Sequence, residues 1–200
     1  MKISCLWLFF VLLASFVSGS ATGPARQEAK PRKPALLVID IQNEYLPMIP
    51  EQERNLGLQM INRVIQMFRE HGFPVIRVYN TDLQHGPKPD TEAFEFLSSV
   101  EIRPQDPKIV KNYPNAFKRT ELDQWLRREG CNTLFLCGLN AVYCVLATYH
   151  GAADLDYDVF LVKDAVMSHN PGYTRFVEDI LSAVGLKALA IILEQAREKR

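Results

Sequence analysis

The 200-residue chain has no surplus of charge of either sign, with 23 lysines and arginines against 23 aspartates and glutamates. That balance excludes nucleic acid or an acidic membrane surface as the main partner. Cysteines are few and poorly spaced for a disulfide framework. Cys131 and Cys137 bracket one apolar run, and six extended residues span about 20 Å, beyond disulfide reach. Both read as small buried apolar residues. The chain has no C-x-x-C and no evident resolving cysteine, which argues against a thiol redox protein. Histidine is also scarce, four in all. Asp82 and His85 form the nearest acid–histidine pair in the loop after the second strand, too few ligands for a metal. They read as a solvated loop, and neither a metal nor an organic cofactor is expected. No repeat or low-complexity block interrupts the later sequence.

The N-terminus differs from the rest. Lys2 precedes an apolar run from Leu6 to Val17, and small residues follow from Ser18 to Ala21. This is the order of a secretory signal peptide over residues 1–21, with an uncleaved anchor as the competing reading. The run is short for a membrane span, so no stable insertion is expected once the signal is removed. The protein is expected to be exported, either periplasmic or secreted. Cys5 precedes the run and is no lipoprotein acceptor. Residues 22–34 are polar and proline-bearing and read as a disordered linker, leaving 35–200 as one domain.

Within that domain apolar runs alternate with helical spacing. Ala35 to Ile39 is a continuous apolar run ending at Asp40, as expected for a buried parallel strand. Gln52 to His71 reads as a helix stopped by Gly72. Strands are expected at Pro74–Tyr79, Lys108–Lys111, Thr133–Cys137, Asp158–Val162 and Leu186–Ile192. Short helices are expected at Thr91–Val100, Thr120–Glu129 and Tyr173–Ala183. The pattern predicts a three-layer α/β/α domain with a six-stranded, mainly parallel, Rossmann-like sheet. Such sheets bind ligands at the carboxyl ends of their strands.

Three chemically capable residues fall at those ends: Asp40, Lys111 and Cys144. The bland readings are a capping aspartate, a surface lysine and a buried thiol. Together they make a nucleophile with a base and a cation. Cys144 follows a strand, Gly138 and a tight turn, which predicts a thiol at a helix N-terminus where a thiolate is stabilised. Asp40 is placed to take its proton, and Lys111 to hold the anion and keep Asp40 ionised. The turn offers backbone N–H groups to an oxyanion. Candidate substrate contacts are Tyr45, Tyr79, Asn80, Phe117, Val142 and His169. Phe94, Phe96 and Tyr113 are further aromatics that either wall a pocket or fill core. Asp164 and Ala165 are expected to buttress the sheet end.

At these residues the chain resembles the isochorismatase-like cysteine hydrolases, which include nicotinamidases and N-carbamoylsarcosine amidases. The resemblance runs through Ala35 to Asp40, Gln42, Asn43 and Tyr45. It continues through Lys111, Ala116, Phe117, Thr120, Leu122, Gly138, Cys144, Val145, Ala147, Thr148, Asp164 and Ala165. It implies an Asp40–Lys111–Cys144 triad, a cis peptide at Leu139–Asn140 and oxyanion donors from the Asn140 and Cys144 amides. It also implies hydrolysis of a small-molecule amide or related C–N bond through a thioester, and a homo-oligomer. Members acting on the vinyl ether of isochorismate lack the cysteine. Many relatives carry Thr-Asp where Ala141 and Val142 stand, so a catalytically silent binding protein is the alternative. Nicotinamidases of the family bind a metal through Asp-x-His and further histidines, a pattern that Asp82 and His85 do not match.

Overall fold

The computed structural model describes residues 31–81 and 86–199. The signal peptide, most of the linker and the Asp82–His85 pair lie outside these residues.

Six strands form one sheet: β1 (Pro34–Ile39), β2 (Val75–Asn80), β3 (Lys108–Lys111), β4 (Thr133–Leu139), β5 (Asp158–Met167) and β6 (Ala183–Val184). Their order is β3-β2-β1-β4-β5-β6, and every pairing is parallel. The expected mainly parallel sheet is therefore wholly parallel. The order reverses between β1 and β4. Both strands are buried along their whole length, which explains their unbroken apolar runs.

Alternation along β1 sorts the interior into two cores. Leu36 and Val38 face α1 (Glu51–Glu70) and α5 (Leu186–Glu198), where Ile61, Val64, Phe68, Leu189 and Leu193 are buried. Ala35, Leu37 and Ile39 face the other way, with Leu122 and Leu126 of α2 (Leu122–Arg128), and Ala152 of α3 (Leu146–Ala153) and Val177 of α4 (Pro171–Ile180). The side-chain period of two on a central strand thus dictates the three layers. Cys131 and Cys137 are buried thiols outside any disulfide, one in each core.

Three elements depart from expectation. The apolar run from Leu186 to Ile192 is helix, not strand. Its register continues to Glu198, and Leu189, Leu193 and Ala196 form one buried stripe at helical spacing. The sixth strand is instead the two-residue β6, where the end of a helix was expected. Thr91 to Val100 forms turns rather than a helix, since Phe94 and Phe96 are drawn under Tyr79 and Gln42 bridges Phe96. Of the pair expected to buttress the sheet end, Ala165 is fully buried in the core and Asp164 is not. It sits exposed at φ 62° where β5 shifts register, its amide donating to Glu178 Oε1 at 2.7 Å. Among the described residues no helix is long and apolar enough to cross a membrane.

The ends of β1 and β4 touch at Gly138, whose φ is 117°. A Cβ there would lie 2.1 Å from the Ile39 carbonyl oxygen and 2.8 Å from its nitrogen. Gly138→Ala should therefore force the two central strands apart and cost more than about 2 kcal/mol. A urea unfolding midpoint unchanged from that of the parent protein would refute this.

Candidate active site

The reversal in strand order brings the C-terminal ends of β1, β2, β3 and β4 around one point, the crevice where open α/β sheets hold ligands. Asp40 leaves β1 in the left-handed region at φ 53°, a conformation aspartate tolerates better than most residues. Its amide donates to the Val78 carbonyl at 2.9 Å, so the backbone that carries the side chain is tied to β2. Lys111 ends β3 in register with Asn80 of β2. Cys144 lies after β4 in a five-residue π-type turn, Ala141–Val145.

The three groups meet. Lys111 Nζ donates to Asp40 Oδ2 at 2.8 Å, to Asn80 Oδ1 at 3.2 Å and to Cys144 Sγ at 3.3 Å. An ammonium has three N–H donors, and each has a partner here. Lys111 is fully buried, and Asp40 and Cys144 nearly so. Asp40 Oδ1 is buried without a hydrogen-bond partner among the described residues. That oxygen is open to a proton from a thiol or a water.

The electrostatics follow from burial with a single countercharge. Burial raises the Asp40 carboxyl above its ordinary 3.8, and Lys111 opposes the rise. Burial would lower the Lys111 ammonium, but Asp40 and Cys144 more than offset it and the net direction is up. Burial pushes the Cys144 thiol up to about 12; the Asp40 carboxylate pushes the same way and Lys111 opposes. The direction is opposite to the lowering expected from a helix start alone. One ammonium between two potential anions balances only one, and the carboxylate takes it. Cys144 also precedes the first residue of α3 rather than starting an exposed helix end.

The turn is held by Asn140. Its carbonyl accepts from the Tyr143 amide at 2.9 Å and the Val145 amide at 3.1 Å. Its side-chain Oδ1 accepts from the Val142 amide at 3.2 Å. The Asn140 and Cys144 amides make no such bonds among the described residues. The peptide between Leu139 and Asn140 is cis. Ala141 is buried and Val142 packs into the core of α2 and α3, so the departure from Thr-Asp lies beneath the turn.

The other candidates divide. Tyr45 and Asn80 line a cavity of about 230 Å³ that also reaches Asp40, Asn140 and Cys144. Tyr79 does not. Alternation on β2 turns it to the opposite face, 1% exposed, against Phe94 and Phe96 with centroids at 5.0 and 4.3 Å. Phe117 is also set apart, stacked on Tyr157. Its neighbour Ala116 instead ties the loop after β3 to α3, donating its amide to Thr148 Oγ1 at 3.0 Å. Val142 is not on the cavity wall, and His169 stands behind Asn140, its Nδ1 3.3 Å from Asn140 Nδ2. Among the described residues no cluster of three metal-ligating side chains occurs.

Sequence reasoning missed the wall residues Met48, Ile49, Leu139 and Tyr143, of which only Tyr143 carries a polar group. It also missed what Gln42 does. This buried side chain pairs twice with the Asn80 backbone, Nε2 to the carbonyl at 3.0 Å and Oε1 from the amide at 2.7 Å. Asn80 then spends its own side chain on Lys111 and on the Tyr45 hydroxyl, 2.8 Å away. The signal was present, two residues beyond Asp40, but a lone glutamine does not reveal its partner.

Comparison with known proteins agrees with this architecture. Residues 34–189 match the isochorismatase domain. The isochorismatase family protein YddQ of Bacillus subtilis is 35% identical over 138 residues, 66% of this chain and 76% of that protein. An isochorismatase family protein from Desulfovibrio vulgaris superposes with a TM-score of 0.72 at 25% identity, over 82% of this chain and 99% of that one. The N-carbamoylsarcosine amidase of Thermoplasma acidophilum does so with a TM-score of 0.65 at 26% identity, over 76% and 95%. The chain belongs to the isochorismatase family of hydrolases.

Proposed function

We propose that this protein is a cysteine hydrolase that cleaves a small amide or related C–N bond, with Cys144 as nucleophile, Asp40 as base and Lys111 as their shared cation. The observation that carries this reading is the Lys111 ammonium, 2.8 Å from Asp40 and 3.3 Å from Cys144 at the foot of one cavity. The amidase relative supports the choice of bond.

The chemistry follows from the charge balance. At rest the site holds carboxylate, ammonium and neutral thiol. As Cys144 Sγ attacks the substrate carbonyl carbon, its proton passes to Asp40, and Lys111 then faces a developing thiolate instead of a carboxylate. Net charge in the buried site is unchanged, so the step needs little reorganisation. A raised Asp40 narrows the gap between proton donor and acceptor. The carbonyl oxygen takes the negative charge beside the Asn140 and Cys144 amides. Asp40 returns the proton to the departing nitrogen, the C–N bond breaks and a thioester remains. Water then attacks the thioester, Asp40 takes the water proton, and the acid leaves as Cys144 recovers its hydrogen.

The same reading includes export, resting on the Leu6 to Val17 run, and self-association. The second is supported by Tyr173, Phe176 and Ile180 on α4, which are all about half exposed along one stripe. Phe176→Glu should reduce the mass in solution measured by light scattering, and an unchanged mass would count against this face.

Cys144→Ala should abolish amide hydrolysis while leaving the circular dichroism spectrum unchanged; full turnover would sink the mechanism. Because Asp40 must be ionised and burial raises it, kcat/KM should fall with acid through a value above 3.8. An acid limb at or below that value would contradict the assigned base. Gln42→Leu should slow turnover by on the order of a hundredfold by releasing Asn80 from Lys111. Wild-type kcat in a folded Gln42→Leu protein would remove it from the site.

A further inference from the structure

We infer that the cavity takes a small amide whose acyl group is uncharged and apolar, and that it discriminates against one bearing a carboxylate. This rests on the hydrolase reading for the reacting end of the ligand, but the wall chemistry that carries it is independent of catalysis.

Apart from Asp40 Oδ1 and the Asn140 and Cys144 amides, which belong to the reacting centre, the polar side chains deep in the cavity are committed to each other. Asn80 gives Oδ1 to Lys111 and Nδ2 to Tyr45. Asn140 gives Oδ1 to the Val142 amide, and its Nδ2 lies against His169. Asp40 Oδ2 is taken by Lys111. The nearest cation, Lys111, is fully buried with three partners for three N–H groups. No lysine, arginine or histidine lines the cavity among the described residues. The fixed charge that does reach it is the Asp40 carboxylate. Beyond the reacting centre the described walls are Met48, Ile49, Gly86, Leu139 and the rings of Tyr45 and Tyr143.

A ligand carboxylate in this space would lose water, meet no cation among the described lining residues and face Asp40. Burying a charge without a partner is costly, whereas an alkyl or aryl group gains from the same walls. At about 230 Å³ the space falls below that of drug-sized pockets, so the acyl group is small. Met48, 54% exposed, stands at the lip and Ile49, 3% exposed, lies deeper. Polar tails are thus met first by a flexible thioether and then by a closed apolar wall.

The test uses an isosteric pair, 4-methylpentanamide and succinamate, in which a terminal isopropyl replaces a carboxylate. Calorimetry with the folded Cys144→Ala protein reads binding without turnover. The neutral amide should bind about a hundredfold more tightly. Met48→Lys in the same background should narrow that ratio by about fivefold by bringing an ammonium to the lip. Equal affinities, tighter succinamate, or no binding of the neutral amide overturns the inference. Ammonia release by the protein with Cys144 intact separates the two claims. Release from succinamate alone would leave the hydrolase reading standing and sink the inference. Tight neutral-amide binding to the Cys144→Ala protein, without turnover when Cys144 is present, would do the reverse.

Discussion

A single buried ammonium organises the functional end of this molecule. Lys111 has no solvent to satisfy it, so its three donors must be met by protein, and they are met by Asp40, Asn80 and Cys144. Each acceptor comes from a different strand end. Remove the ammonium, and a carboxylate is left stranded in an apolar interior, which costs far more than the pair itself contributes. The arrangement of four strand ends therefore has an electrostatic cause as well as a packing one. The thiol is the third corner, its pKa pushed up by burial and by the carboxylate that shares its one countercharge.

Around that point the support is arranged in layers. Gln42 locks the Asn80 backbone, Asn80 steadies Lys111, and Thr148 ties the segment after β3 to the helix that follows Cys144. Gln42, Lys111 and Thr148 are fully buried and Asn80 partly so, and their bonds are short-range and directional. The walls farther out are apolar and nonspecific. The site thus combines a rigid polar foot with an accommodating apolar throat.

Much of this was legible in the residues. Continuous apolar runs at β1 and β4 announced a doubly covered parallel sheet, and Asp40, Lys111 and Cys144 stood out by falling at strand ends. What was not legible involves orientation and period. Tyr79 and Asn80 are neighbours in sequence, yet the pleat sends one into the core and the other into the cavity. The run from Leu186 contains too many consecutive apolar residues for its period to declare itself before Glu198 completes the helix. Gln42 acts through a partner 38 residues away, and no local pattern encodes that. Nor did local reasoning foresee the raised thiol. A helix-start argument counts dipoles, whereas the buried site is governed by how many anions one cation can balance.

The contact at Gly138 has a consequence for how such a protein can diversify. The separation between the two central strands is set there by a missing methyl group, with the Ile39 carbonyl filling the space. Asp40 follows Ile39 directly, and Cys144 hangs from the turn that Gly138 leads into. The gauge between base and nucleophile is therefore fixed by backbone against backbone, out of reach of changes at apolar wall residues such as Met48 and Ile49. Met48 and its neighbours can be exchanged over generations without retuning the reacting groups. Old machinery can thus meet new ligands by altering only its entrance.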